Sequence, residues 1–251
     1  MRNKWYMLFK ALFGPWLHVL NRPEIEGGEN IPDEGAAILA SNHQAVMDSF
    51  YLPLMVKRQL TFPAKKEYFT APGLVGWMQK FFFTSVGQIP VDRTAADAGD
   101  ATLQAARTVF DRDDLFGIYP EGTRSPDGRL YKGRTGMARI AMATGEKVIP
   151  VAMINTRAAN PIGTWVPRPA KVKIRIGKPI DPHAWAVEKG LDPTSREVSR
   201  AFTDHVMHTL AHLVGEPYVD MYASEVKDSL AAGHGYPEGA EPGGRLERTF
   251  D

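Results

Sequence analysis

The stretch Ala36-Ala37-Ile38-Leu39-Ala40-Ser41-Asn42-His43-Gln44-Ala45-Val46-Met47-Asp48 decides the fold. Its first six residues form a short apolar run, which predicts a buried β-strand. The segment from Asn42 to Lys57 is then predicted to start a helix. Ligands commonly bind at strand ends along the edge of an α/β sheet. The polar residues after Ser41 are therefore the first candidates for a functional site.

His43 and Asp48 are a candidate pair for acid–base chemistry. On one ideal helix, five residues turn about 500°, which leaves the two side chains about 140° apart. They can meet only if His43 lies in the loop and Asp48 in the first helical turn. An aspartate bound to one imidazole nitrogen fixes the tautomer, and the other nitrogen can then take a proton from a hydroxyl. The alternative is a histidine that makes only local hydrogen bonds.

A second polar segment, Tyr119-Pro120-Glu121-Gly122-Thr123-Arg124-Ser125, follows another apolar run. Gly122 permits close approach of the backbone to a ligand. Arg124 can bind a phosphate with two parallel hydrogen bonds, and Glu121 can orient that arginine or bind a hydroxyl. The segment predicts a phosphate site, and the alternative is a turn with a surface arginine.

Strands alternate with helices through the middle of the chain. The predicted strands are Ala36–Ser41, Val86–Val91, Leu115–Tyr119, Lys147–Asn155 and Val172–Ile176, and the predicted helices are Ala95–Arg112, Thr135–Thr144 and Ser195–Val214. This alternation predicts an α/β fold with a central mixed sheet covered by helices. From Ala232 the chain is rich in Gly, Pro and Glu, which predicts a disordered or loosely attached tail over residues 232–251.

The first 22 residues are predicted to form a helix at a membrane interface. Apolar residues recur at helical spacing, at Trp5, Leu8, Phe9, Leu12, Phe13, Trp16, Leu17 and Leu20, and basic residues flank them, at Arg2, Lys4, Lys10, His18 and Arg22. Such a helix can lie in the interface or pack on the core, and Pro15 is expected to bend or break it. The apolar region Tyr68–Phe83 predicts either core or a second membrane-touching surface. Neither a membrane-spanning segment nor a secretory signal is expected.

The composition excludes several classes of chemistry. The 251 residues include no cysteine, which excludes thiol nucleophiles, thiolate metal sites and disulfides. A net charge of +1 gives no global field for nucleic acid. Between Glu121 and Arg139, however, five basic residues stand against two acidic ones, which indicates either a solvated face or an anion-binding surface.

Four motifs in this order resemble the glycerolipid acyltransferase superfamily, and within it the bacterial 1-acyl-glycerol-3-phosphate acyltransferases. They are the H-x4-D pair His43 and Asp48, then Gly87-Gln88-Ile89-Pro90-Val91-Asp92-Arg93, then Pro120-Glu121-Gly122-Thr123-Arg124-Ser125, then Val148-Ile149-Pro150-Val151. The Ala64-Lys65-Lys66-Glu67 stretch also fits this pattern. The resemblance covers roughly Arg22 to Pro182, and the acyltransferase domain is expected over residues 23–231.

The resemblance implies a role for each motif. His43 would deprotonate the acceptor hydroxyl, which attacks an acyl thioester directly, and Asp48 would orient His43. The acceptor phosphate would be held by Arg93, Glu121, Gly122 and Arg124, with Lys65 or Lys66 as helpers, and the pocket would be lined by Gly87, Ile89, Thr123, Ile149 and Pro150. No metal or resident cofactor is implied.

The implied partners are a lysophospholipid acceptor, an acyl-CoA or acyl carrier protein as donor, and a membrane surface, without nucleic acid. The implied location is the cytoplasmic face of the cell membrane, with peripheral or monotopic attachment. The acceptor could also be glycerol-3-phosphate, another lysolipid or a glycolipid. Two other protein classes compete with this interpretation, a metal-dependent hydrolase and a non-catalytic lipid-binding protein. For the hydrolase, the motif itself contains only one histidine and one aspartate as possible ligands.

Overall fold

The computed structural model describes residues 4–92, 98–164 and 166–250. Its strands are β1 Glu24–Glu26, β2 Ala37–Ser41, β3 Leu60–Thr61, β4 Pro63–Lys65, β5 Ile89–Val91, β6 Leu115–Ile118, β7 Leu130–Tyr131, β8 Val148–Ile154, β9 Lys173–Ile176, β10 Tyr218–Val219 and β11 Glu247–Arg248. Its helices are α1 Lys4–Asn21, α2 Asp48–Met55, α3 Glu67–Thr70, α4 Gly73–Ser85, α5 Ala98–Phe110, α6 Gly136–Thr144, α7 Thr156–Ala159, α8 Pro182–Glu188, α9 Arg196–Val214 and α10 Ala223–Ala231, with a short 3-10 helix at Gly28–Asn30.

Strand β2 lies in the interior of the main sheet. Six of the described strands form this sheet, in the order β1-β9-β8-β2-β6-β3. Strand β2 is parallel to β6 and β8, whereas β8 and β9 are antiparallel. The predicted α/β fold with a central mixed sheet and helices is confirmed.

Both faces of β2 are buried, which explains its unbroken apolar run. Successive side chains of a strand point to opposite faces. Ala37 and Leu39 accordingly pack into the cluster that contains α2. Ile38 and Ala40 pack into the cluster formed with α5, α6 and α9. A sheet covered by helices on both faces requires this kind of strand.

Pro150 is an interior residue of β8 and does not mark an edge. Its carbonyl accepts the Gly177 N–H at 2.8 Å, and Val148 exchanges hydrogen bonds of 2.9 and 2.8 Å with Ile180. The pairing with β9 ends at Ile176. Pro150 therefore lies at the end of the β8–β9 pairing, where it contributes a carbonyl acceptor but, as a proline, no N–H donor.

Helix ends follow the expected capping residues. The Ser195 hydroxyl accepts the Val198 N–H at the start of α9, which is typical of an N-cap. Gly145 ends α6 in the left-handed conformation, with φ of 75°. The prediction that Pro15 bends or breaks α1 is wrong as regards a break, since the helix continues to Asn21. Pro15 is exposed, so the carbonyl that loses its N–H partner can bind water.

Lys10 is turned inward rather than toward a membrane. Its ammonium group donates to the carbonyls of Pro53 and Val56 at the end of α2. Burial lowers the pKa of Lys10 below its ordinary value. The C-terminal end of a helix favours a cation, so Lys10 joins α1 to α2 instead of providing flanking charge at the surface.

The prediction of a disordered tail from Ala232 is wrong. Strand β11 pairs with β10, and Ala240 is fully buried. Buried Arg129 holds the segment by donating to the Ala240 carbonyl at 2.7 Å and to Glu247 Oε2 at 2.6 Å. This polar anchor acts together with the packing of Ala240, Leu246 and Phe250 into the core clusters.

The apolar region after residue 67 divides between core and surface. Pro72 separates α3 from α4, and Gly76 does not interrupt α4. Phe82 and Phe83 are half-buried, whereas Trp77 is 63% exposed. Within the described ranges, no helix combines the length and the apolar character that crossing a bilayer requires.

Candidate functional site

The loops that follow β2 and β6 meet at one edge of the sheet. The His43 N–H donates to Glu121 Oε1 at 2.9 Å, and the Ser125 N–H donates to the His43 carbonyl at 2.7 Å. The Gln44 side chain adds a bond to the Gly128 carbonyl at 3.0 Å. The two strands are parallel neighbours, so the two sequence motifs are brought together at their carboxyl ends.

The Asp48 carboxylate organises the first loop. Its Oδ2 accepts His43 Nδ1 at 2.9 Å, the Gln44 N–H at 2.7 Å and the Ala45 N–H at 2.8 Å. Asp48 is fully buried and is the first residue of α2, where the helix dipole favours negative charge. His43 lies in the loop and Asp48 in the first turn, which is the arrangement that allows them to meet. An ionised carboxylate only accepts, so Nδ1 carries the proton and Nε2 is left as the basic nitrogen.

A ladder of stacked rings supports the imidazole. The Tyr119 ring lies 3.8 Å from the His43 ring at an interplanar angle of 9°, and Phe62 lies 5.1 Å beyond Tyr119. Gly117 makes room for this ladder, because a Cβ there would stand 2.4 Å from the Phe62 ring. The Tyr119 hydroxyl bonds to Ser49 Oγ at 2.8 Å. The His43 side chain remains 17% exposed, so the ring is fixed on one face and still reachable.

The sequence alone did not identify Tyr119 as a site residue. Burial raises its pKa well above the usual range, and the charge of Asp48 adds to this effect. The phenol therefore stays neutral beside the imidazole. Its position next to Pro120 at a strand end was the only sequence signal, and that signal does not reveal stacking.

The Glu121 side chain joins the site loop to β7. Its carboxylate is buried, and its two oxygens accept the N–H groups of His43 at 2.9 Å and Tyr131 at 3.0 Å. Burial raises the pKa of Glu121 to about 8. Both oxygens thus join the site loop to β7, and the phosphate-binding role of Glu121 stays a prediction.

The rest of the second loop is more open. Gly122 has φ of 75°, a conformation that favours glycine, and it packs under the Arg134 side chain. Thr123 Oγ1 accepts a hydrogen bond from Lys227 Nζ at 2.9 Å. Arg124 is half-buried and makes no ion pair within the described ranges. This loop therefore carries a guanidinium without an ion-pair partner among the described residues, one residue before the Ser125 N–H that bonds to the His43 carbonyl.

Lys65 and Lys66, which are predicted to help bind the acceptor phosphate, differ in whether they pair with a carboxylate. Lys65 is exposed at the end of β4, which pairs with β5. Lys66 forms an ion pair with Asp92 at 3.6 Å, so its charge is already compensated. Arg93, predicted to bind phosphate, lies outside the described residues.

The predicted pocket residues are scattered. Gly87 forms the turn before β5 with φ of 76°, and Ile89 in β5 packs on the core. Ile149 and Pro150 are buried in β8, opposite Leu39 and Ala40 of β2. The last two therefore support the strand below His43 from inside the sheet. In the part of the chain that the structure describes, no group of three or more His, Asp or Glu residues could hold a metal ion.

The chain is similar in sequence to a known protein family. The model of the family described as Acyltransferase matches residues 22–154, just over half of the chain. A protein from Limnanthes alba named 1-acyl-sn-glycerol-3-phosphate acyltransferase is 30% identical over 66% of this chain and 57% of its own length. A protein of that name from Pseudomonas aeruginosa is 30% identical over 62% of this chain and 58% of its own length. The chain thus spans a little over half the length of these relatives.

A solved structure resembles the fold over a longer range. The crystal structure of the 1-acyl-sn-glycerophosphate (LPA) acyltransferase PlsC from Thermotoga maritima superposes with a TM-score of 0.60 at 26% sequence identity. The match covers 84% of this chain and 79% of that one. The similarity therefore extends beyond the residues that the family model matches.

Glu121→Gln is predicted to flatten the pH dependence of stability. The pKa of Glu121 rises from 4.5 to about 8 on folding, so the folded protein binds the proton more tightly than the unfolded chain. Its stabilising contribution is complete below the unfolded pKa and is lost as the pH rises through the folded pKa. Between pH 5 and about 8 the free energy of unfolding should fall by up to about 1.4 kcal/mol per pH unit more steeply in the wild type than in the variant.

Urea denaturation at four pH values across this interval measures the two slopes. The exposed Glu216 supplies the matched control, because Glu216→Gln should leave the wild-type slope unchanged. Parallel slopes for the wild type and Glu121→Gln would contradict a raised pKa at Glu121.

Proposed function

Because the chain belongs to the acyltransferase family, we propose that it transfers a fatty acyl group from an acyl thioester to the free hydroxyl of 1-acyl-glycerol-3-phosphate, forming phosphatidate. The observation that carries this proposal is the 2.9 Å hydrogen bond between His43 Nδ1 and Asp48, beside the loop that bears Arg124. The names of the relatives from Limnanthes and Pseudomonas support this acceptor. Glycerol-3-phosphate, another lysolipid or a glycolipid is the alternative acceptor within the same family.

In the proposed reaction, His43 is the general base. Its Nε2 takes the proton from the acceptor hydroxyl as the oxygen attacks the thioester carbonyl carbon. Asp48 stabilises the imidazolium through Nδ1. The tetrahedral adduct then collapses, the C–S bond breaks, and the departing thiolate receives the proton from Nε2. An alcohol is a poor nucleophile near neutral pH, so a positioned base should contribute about 10²- to 10⁴-fold to the rate.

Direct attack is proposed rather than an acyl-enzyme. The two serines nearest the motif have other partners, since Ser41 Oγ donates to the Asn42 carbonyl and Ser49 Oγ bonds to the Tyr119 hydroxyl. Within the described residues, no side-chain hydroxyl is hydrogen-bonded to the His43 ring. The chain also has no cysteine. The group that His43 activates is therefore taken to be the substrate hydroxyl.

Charge near the base supports a phosphate-bearing acceptor. Arg124 lies one residue before Ser125, whose N–H is bonded to the His43 carbonyl, and a phosphate held by Arg124 would place a nearby hydroxyl at Nε2. Such positioning is a large part of catalysis between two bound reactants. The donor is proposed to be acyl-CoA or acyl carrier protein, both of which carry a phosphopantetheine thioester. No other cofactor has a part in this scheme.

A membrane-contact surface is proposed on α1 and α4. The exposed apolar residues of this surface are Trp5, Leu8, Leu12, Phe13, Trp16, Val19, Leu74, Val75, Trp77, Met78 and Phe81. The helices join through edge-to-face pairs, Trp5 with Phe81 at 5.4 Å and Phe9 with Phe82 at 5.2 Å. Contiguous apolar surface of this extent marks an interaction site.

This surface lies next to the helix that carries Asp48. Phe50 of α2 stacks on Phe82 of α4 at 6.0 Å, so the surface is joined to the candidate site by one turn of α2. A lipid acceptor could thus pass between bilayer and site without crossing water. Peripheral or monotopic attachment at the cytoplasmic face, where both donors are available, is the proposed location.

Leu74→Ser is predicted to weaken vesicle binding about tenfold. Leu74 is 73% exposed, and moving a leucine side chain from water into an apolar phase is worth about 1.5–3 kcal/mol. Val187→Ser is the matched control, because Val187 is 69% exposed but lies on α8. Cosedimentation with vesicles of phosphatidylethanolamine and phosphatidylglycerol measures the partition coefficient. Equal partitioning of the two variants would exclude α4 from the membrane contact.

His43→Ala is predicted to lower kcat by at least about 100-fold, because the general base is lost. Thiol release from palmitoyl-CoA in the presence of lysophosphatidate measures turnover, and urea denaturation tests whether the variant folds. His234→Ala is the control, since His234 is exposed and remote in sequence from the motif. A folded His43→Ala protein that retains more than about a tenth of wild-type activity would remove His43 from the mechanism.

A further inference from the structure

Helix α10 brings a lysine to the loop that carries Arg124. Lys227 Nζ donates a hydrogen bond to Thr123 Oγ1 at 2.9 Å across 104 residues of sequence. Lys227 is half-buried. An ammonium group has three donors, so two remain after the bond to Thr123.

The contacted loop is attached to the base from both sides. Thr123 and Arg124 stand between Glu121, which accepts the His43 N–H, and Ser125, which donates to the His43 carbonyl. A cation bound to Thr123 is therefore located beside the candidate base and not on a separate surface.

Several contacts fix α10 in this place. Arg134 Nη2 donates to Ser224 Oγ at 2.9 Å, and its guanidinium lies 4.9 Å above the Tyr222 ring. Ala223 and Val226 are fully buried. The first turn of α10 is thereby docked, and Lys227 follows one turn later on the same helix.

Three cations in this region form no ion pair with any described residue. In the part of the chain that the structure describes, neither Lys65, Arg124 nor Lys227 has a carboxylate within 4.0 Å, whereas Lys66 pairs with Asp92. Burial, and then the positive charge of Arg124, lower the pKa of Lys227 below its ordinary value; Asp228 opposes this effect and Lys65 adds to it. Like charges held close together repel one another, and a bound anion reduces this repulsion.

We propose that Lys227 binds the phosphate of the acceptor together with Arg124, so that α10 completes the acceptor site. This proposal rests on the proposed function and adds to it a binding residue from a region without a recognised motif. One Nζ donor stays on Thr123 while the other two meet phosphate oxygens. The guanidinium of Arg124 binds the same phosphate from the loop.

The competing explanation is that Lys227 only ties α10 to Thr123. Lys227→Gln separates the two explanations, because glutamine can still donate to Thr123 but carries no charge. Lys227→Arg keeps the charge and should rescue binding. Lys178→Gln is the matched control, since Lys178 is exposed beyond the end of β9, which is antiparallel to β8 and so ends at the opposite edge of the sheet.

Steady-state kinetics with lysophosphatidate and palmitoyl-CoA provide the first test. A charged hydrogen bond to phosphate predicts that Lys227→Gln raises the KM for lysophosphatidate about tenfold or more. The KM for the donor should stay within about twofold, as should both constants in Lys178→Gln, and Lys227→Arg should restore most of the affinity. The proposal is overturned if Lys227→Gln and Lys178→Gln share one KM for lysophosphatidate, or if only the donor KM rises.

A binding measurement separates this inference from the proposed reaction. In the inactive His43→Ala background, lysophosphatidate micelles should bind about tenfold less tightly after Lys227→Gln, and monoacylglycerol micelles should bind both proteins equally. Equal lysophosphatidate affinity would refute the role of Lys227 even if the wild type is an active acyltransferase. A difference in affinity without turnover in the wild type would refute the reaction and retain the phosphate site.

Discussion

The arrangement of the whole site depends on the three hydrogen bonds accepted by one oxygen of Asp48. Two of them hold the backbone of Gln44 and Ala45, and the third holds His43 Nδ1. The same buried charge thus shapes the loop after β2, starts α2 and orients the imidazole. Fold and candidate chemistry share this interaction, because the carboxylate that orients the histidine also holds the loop that carries it.

Other buried polar groups keep the second loop in register with the first. Glu121 joins the His43 and Tyr131 backbones although burial disfavours its charge. Arg129 plays a similar part for the C-terminal segment. A buried ionised group costs desolvation energy. Glu121 avoids this cost below its raised pKa by binding a proton, and Arg129 offsets it by pairing with Asp127 and Glu247. The cations near Arg124 form no ion pair among the described residues. Their charges favour binding of an anion over stability of the folded protein.

The sequence predicted the local part of this structure well. An apolar run followed by a histidine, and an aspartate five residues later, was enough to expect a buried strand, a loop and a helix start. The sequence contained no comparable pattern for contacts between distant segments. The stacking of Tyr119 on His43, the inward direction of Glu121 and the approach of Lys227 each join segments far apart in the chain. The order of the tail was not predicted because its packing uses a few widely spaced apolar residues, Tyr236, Ala240, Leu246 and Phe250, together with one buried arginine from a distant segment.

The most direct test of direct acyl transfer is thiol release during the first turnover, with protein in near-stoichiometric amounts and either palmitoyl-CoA or palmitoyl-acyl carrier protein as donor. A base that activates the acceptor hydroxyl, with no covalent intermediate, predicts release only after lysophosphatidate is added, together with an equal amount of phosphatidate. A burst of one thiol per protein without lysophosphatidate would show an acyl-enzyme and contradict this account. The absence of release with both donors, with or without lysophosphatidate, would contradict the proposed reaction itself.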